Sequence, residues 1–151
     1  MFRCWFLLLG GLVLPAAVAV EPGVKAQVVG GTMASIRAKT SVRLDLTTGD
    51  ALVLQTGKTE LRVEFQKVTT VEYGQSVSRR YAAAVLISPV LLLSKTRKHF
   101  VTLGFLDSEG KQQAVVFRIE KGDIRSLIAG LEARTGRRVE YQDDNARKSG
   151  K

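Results

Sequence analysis

The sequence predicts a mainly β domain: a seven-stranded barrel or orthogonal sandwich whose open end is capped by one C-terminal amphipathic helix. Three observations carry this. Short runs between Val42 and Ile119 alternate apolar and polar residues with the period of half-buried strands. Turn-forming residues separate those runs at regular spacing. After Asp123 the apolar spacing changes, with Ile124, Leu127, Ile128 and Leu131 falling on one helical stripe.

The chain opens with targeting chemistry. Met1, Phe2 and Arg3 make a short positive start, Cys4–Leu14 is apolar, Pro15 breaks the run, and Ala17 and Ala19 suit a cleavage site. Residues 1–19 are therefore read as a signal peptide, which places the mature chain outside the cytoplasm, periplasmic or secreted. Cleavage removes the single cysteine, so the core alone must hold the exported domain. A linker is expected over 20–27.

Each element follows in order. Gly30 and Gly31 inside VVGGTMASI (28–36) suggest a bent or bulged strand. Val42, Leu44 and Leu46 face away from Arg43, Asp45 and Thr47; Thr48, Gly49 and Asp50 then turn the chain into a return strand at Ala51–Leu54. A further turn at Gly57 and Lys58 leads to Leu61, Val63 and Phe65. Val68 and Val71 are spaced for one helical turn before the chain extends to Tyr73. His99, Val101, Leu103 and Phe105 share a strand face, Asp107–Gly110 forms a hairpin loop, and Gln113, Val115, Phe117 and Ile119 alternate on the return. Asp123 suits a helix N-cap and Gly136 the position after the C-cap, with Arg134, Arg137 and Arg138 favourable to the helix dipole. Val139–Tyr141 adds a short strand, and 142–151 reads as a polar disordered tail.

The run Tyr81–Ser94 does not fit a half-wet strand. It has no charge, it is apolar on both faces, and Arg79, Arg80, Lys95, Arg97 and Lys98 flank it. As a single helix it would reach about 21 Å, short of a hydrocarbon core of about 30 Å, and Pro89 would break it. Two short arms, Ala82–Ile87 and Val90–Leu93, meeting at Ser88 and Pro89 are expected instead. If about five side chains stay outside the barrel, they form a patch of roughly 400–500 Å², near the upper range for a monomer. At about 25 cal/mol per Å² such a patch represents roughly 10 kcal/mol before ordering and association costs. Three covers are open: the rest of the domain, a membrane interface, or a protein surface including a second copy. The contact residues would be Val85, Leu86, Ile87, Val90, Leu91 and Leu92. The flanking cations Arg79, Arg80, Lys95, Arg97 and Lys98 would meet anionic headgroups.

The strand-plus-turn run LRVEFQKVTTVEYG (61–74), the segment SKTRKHFVTLGF (94–105) and the passage QQAVVFRIEKGDIRSLIAGLEARTG (112–136) resemble bacterial PH-like, GRAM-related domains. The likeness spans 28–141. It implies a seven-stranded barrel plugged by the helix, and a role in binding lipid headgroups or protein segments without catalysis. The chain departs from the eukaryotic pattern in being exported and in having only scattered cations, Arg37, Lys39 and Arg43, where a phosphoinositide motif would lie. Phosphoinositide specificity is therefore not carried over.

The net charge of +9 fits an anionic lipid surface or an acidic protein partner, and export disfavours nucleic acid. No catalytic motif, metal-ligand set or cofactor loop is found. His99 is the single histidine and shares a strand face with Val101 and Leu103, as a structural residue would. The glycine pair at 30–31 precedes an extended segment and makes a poor phosphate loop. The expected function is a non-catalytic binding module at a membrane surface. The alternative is a protein-interaction or homodimerisation module that buries the same hairpin.

Overall fold

The computed structural model describes residues 23–33, 35–57, 59–76 and 98–150. The fold is mainly β with a C-terminal helix, as the alternation and the change of period predict. The strands are β1 (Val24–Gly31), β2 (Ser41–Asp45), β3 (Ala51–Thr56), β4 (Thr59–Glu64), β5 (Val68–Gly74), β6 (His99–Leu106), β7 (Gln112–Ile119) and β8 (Glu140–Tyr141). They lie in the order β4-β3-β2-β1-β7-β6-β5-β8, antiparallel except for the β5–β8 pair.

The sheet does not close into the expected barrel. β8 pairs in parallel with β5, Glu72 against Glu140 and Tyr73 against Tyr141, and so occupies the edge that closure would need. At the other end β4 is the last of the described strands; Glu60, Arg62 and Glu64 are exposed there, and Arg62 Nε contacts Glu60 Oε1 at 2.9 Å.

The first strand begins earlier than the sequence reading places it. Val24, Ala26 and Val28 alternate with Lys25 and Gln27, so the supposed linker is already paired, Ala26 with Val42 on one side and Ile119 on the other. The register slips between Val28 and Gly30, which is the bulge expected at the glycine pair. A Cβ on Gly31 would lie 3.0 Å from the Ala114 carbonyl oxygen, so the neighbouring strand leaves little room there for a side chain. Val68 and Val71, whose spacing suggests a helical turn, instead lie in strand β5; the one short turn here is a 3₁₀ turn that precedes them at Phe65–Lys67.

Alternate residues of β1 to β7 turn one face inward. Val28, Leu44, Leu54, Val63, Val71, Val101, Leu103 and Phe117 join Ile124, Leu127, Ile128 and Leu131 of helix α1 (Ile124–Thr135) in one buried cluster. Asp123 stands at the N-cap, but its side chain makes no capping bond; Ser126 Oγ donates to its carbonyl at 2.9 Å instead. Gly136 ends the helix at φ 66°, its N–H donating to Glu132 O at 3.0 Å, the left-handed stop that glycine favours. Arg134 donates to Gly49 O and lies 5.0 Å over the Phe65 ring, tying α1 to the β2–β3 turn.

The tail also differs from expectation. Asp144–Gly150 forms a short helix, α2, with Ala146 fully buried in the core cluster. Asp143 Oδ1 accepts the Ala146 N–H at 2.7 Å and so starts this helix. The expected signal peptide and the two-arm hairpin of 81–94 lie outside the described residues.

Candidate functional site

Strand alternation that sends Ala26, Val42 and Ile119 inward sends Lys25, Gln27, Arg43 and Arg118 outward. Register brings them together: Lys25 opposes Arg43, Arg43 opposes Gln55, Gln27 opposes Arg118, and Arg118 opposes Phe100. With Lys98 and Glu120 they line a concavity of about 610 Å³. Lys25 is exposed, while Arg43, Lys98 and Arg118 are half-buried. Four cations thus share the groove with one carboxylate among the described lining residues.

His99 sits at the groove's margin but takes its partner from the core side. Its Nδ1 lies 2.6 Å from the Tyr73 hydroxyl, and the rings stack with centroids 6.0 Å apart. Burial, with a lesser contribution from the Lys121 charge, holds its pKa below the usual 6.5. The ring is therefore neutral near pH 7 and adds no charge to the groove. Burial similarly pushes the Tyr73 and Tyr141 hydroxyls above their ordinary value of 10.0.

Of the eleven contact residues expected from sequence, Lys98 is described, and it lines the groove. Val85, Leu86, Ile87, Val90, Leu91 and Leu92, with Arg79, Arg80, Lys95 and Arg97, lie outside the described residues. Sequence reasoning missed Lys25 and Arg118 as site residues and took Arg43 for a scattered charge. Their outward phase was legible in each strand, but their convergence depends on the β2-β1-β7-β6 order.

Among the described residues no group of three or more His, Cys, Asp or Glu could hold a metal ion, and no helix is long and apolar enough to cross a membrane. No family model and no curated protein matches the chain.

Proposed function

We propose that this chain is a non-catalytic, exported, PH-like binding module that associates with an anionic membrane surface through the groove of Lys25, Arg43, Lys98 and Arg118. The 81–94 run and the cations Arg79, Arg80, Lys95 and Arg97 extend the same contact. The observation that carries the reading is the convergence of four basic side chains, Lys25, Arg43 and Arg118 from three strands and Lys98 from the residue just before β6. The strand meander and the amphipathic helix α1 packed on its core face support the PH-like assignment.

Magnitudes decide that the groove does not act alone. Each cation near an anionic leaflet contributes about 1 kcal/mol, so four supply about 4, equivalent to a millimolar affinity. Stable attachment needs apolar insertion as well, and the side chains Leu86, Ile87 and Leu91 supply it.

The test is sedimentation of the mature protein with vesicles. Binding to anionic vesicles, little binding to zwitterionic ones, and loss on combining Leu86→Ser, Ile87→Ser and Leu91→Ser are expected. Equal binding to both vesicle types, or unchanged binding by the triple variant, overturns the reading. A mass that rises with concentration in light scattering without lipid would instead favour the same run as a protein interface or homodimer contact.

A further inference from the structure

The basic groove has an internal order set by strand register. Its middle is the row Val42, Ala26, Ile119 and His99, held level by the pairs Ala26–Val42, Ala26–Ile119 and His99–Ile119. One residue along from that row, Arg43 and Lys25 oppose each other on β2 and β1. Glu120 follows Ile119 and so falls level with Lys25 on one flank and Lys98 on the other. On the far side of the middle row, Ser41, Gln27 and Arg118 are level across β2, β1 and β7. The cations therefore fall into two pairs, Lys25 with Arg43 on β1 and β2, and Arg118 with Lys98 at β7 and the start of β6. Adjacent strands lie about 4.8 Å apart, so the centres of the pairs are two spacings, or about 10 Å, from each other.

We propose that the groove's ligand is a lipid headgroup with two phosphodiester groups joined by a short polyol bridge, one phosphate on each cation pair. This headgroup specifies the membrane contact proposed above and rests on the groove of that contact. Charge sets the count. Among the described lining residues, four cations against one carboxylate leave a net charge of +3. One phosphodiester meets a single pair and leaves the other uncompensated, whereas two engage both. Two phosphomonoesters, at about −1.5 to −2 each, would reach or exceed the groove's own charge.

The other carboxylates on this face of the sheet do not supply the missing charge. Glu60, level with Gln55 on β4, is held by Arg62 at 2.9 Å. Asp45, two residues beyond Arg43, accepts from Thr47 and Thr48. Glu72 lies on β5, beyond β6, where its Oε1 accepts from Gln142 Nε2 at 3.0 Å, and Glu140 lies farther out, paired with Glu72 across β8. Size agrees with a ligand larger than one oxyanion: about 610 Å³ falls within the roughly 300–1,000 Å³ of small-molecule sites. Gln27, Ser41 and Gln55 also line the groove, and their amides and hydroxyl can hydrogen-bond a bridge hydroxyl without adding charge. Once one phosphate is seated, the second binds as a tethered group at high effective concentration.

The test is sedimentation of the full chain with phosphatidylcholine vesicles of equal surface charge. One set carries diphosphatidylglycerol and the other carries phosphatidylglycerol at twice that mole fraction. Diffuse attraction follows surface charge and is the same for both, so any difference reads the site. Affinity for the diphosphatidylglycerol vesicles should be at least about tenfold higher. Lys25→Gln and Arg118→Gln, each breaking one pair, should remove that preference. Arg125→Gln, which removes an exposed cation of α1, should keep it. Equal affinity of the native chain for the two vesicles, or a preference that survives both groove variants, overturns the proposal. The deacylated headgroups supply an arm without a membrane. The form with two phosphates should shift the amide resonances of Gln27 and Arg118 at lower concentration than glycerophosphoglycerol does, and an equal response overturns the proposal. A chain that binds neither vesicle but passes this arm has lost the membrane contact and kept the headgroup chemistry. One that binds both vesicles equally has lost the headgroup and kept the membrane contact.

Discussion

The Tyr73 hydroxyl and His99 Nδ1 lie 2.6 Å apart, joining neighbouring strands β5 and β6 at the boundary between the core and the basic groove. With the ring proton on Nε2 the hydroxyl donates to Nδ1, and with it on Nδ1 the ring donates to the hydroxyl. Protonation of the ring places a charge in a partly buried site.

Stability should therefore depend on pH through His99. Its folded pKa lies below the ordinary 6.5, so the stabilising contribution is complete above 6.5 and is lost as pH falls through the folded value. Denaturant melts between pH 7 and pH 5 should show declining stability in the native chain. His99→Gln should flatten that decline. Tyr73→Phe should cost about 1 kcal/mol at pH 7, the net value of one hydrogen bond. An unchanged pH profile in His99→Gln would remove the histidine from this role.

Asp45 organises the β2–β3 turn. Its carboxylate accepts from Thr47 N at 2.7 Å, Thr47 Oγ1 at 2.6 Å and Thr48 Oγ1 at 2.7 Å. The Thr47 side-chain hydrogen bond is the largest influence and, with its neighbours, outweighs burial to hold the carboxyl below the usual 3.8. Its contribution is present above 3.8 and disappears as pH falls through the folded value. Asp45→Ala should destabilise by about 2 kcal/mol at neutral pH and lessen the acid sensitivity below pH 4, as read by chemical denaturation.

Helix α2 should behave as a separable clasp. Ala146 is fully exposure-free in the core cluster, and Gln75 Nε2 donates to Ser149 Oγ at 2.9 Å. Ala146→Asp forces a carboxylate into that position, a cost of about 2 kcal/mol or more, which undocking relieves. Limited trypsin digestion should then cut faster at Arg147 and Lys148 while the strand core stays resistant. An unchanged cleavage rate would mean that the helix does not rely on this anchor.

Binding through the groove should weaken with salt. The screening length falls from about 10 Å at 0.1 M to about 3 Å at 1 M, and half-buried cations facing solvent feel that change. Lys25→Gln or Lys98→Gln should each lower anionic-vesicle affinity about fivefold, the equivalent of about 1 kcal/mol. The same variants should show a shallower salt dependence. A salt-independent affinity would exclude the groove from the contact.

How much was legible in the sequence follows from which interactions are local. β2, β4, β6 and β7 each send an alternating apolar set into the core, and that period is written in consecutive residues, although β6 and β7 bury residues of their other face as well. The α1 stripe and its Gly136 stop are equally local. β1 was shortened because Lys25 and Gln27 read as linker polarity, although they are the outward half of a paired strand. α2 was hidden because seven polar and small residues hold too little apolar surface to fold alone; Ala146 finds its burial only against the assembled core. The open sheet was missed for a related reason. A two-residue strand such as β8 carries no period, and its parallel pairing with β5 depends on where α1 delivers the chain. The groove needed strand order as well, since Lys25 and Arg118 meet only across β1 and β7.

The outer rim of β4 carries a further consequence. Among the described residues no strand pairs with its outer backbone, a potential template for another extended chain, yet Glu60, Arg62 and Glu64 stand charged along it. An incoming strand would have to disturb the Arg62–Glu60 ion pair and bring its own backbone against this charged margin. That rim therefore discourages fibril-like growth under crowded conditions, while β8 covers the β5 edge at the opposite end of the sheet.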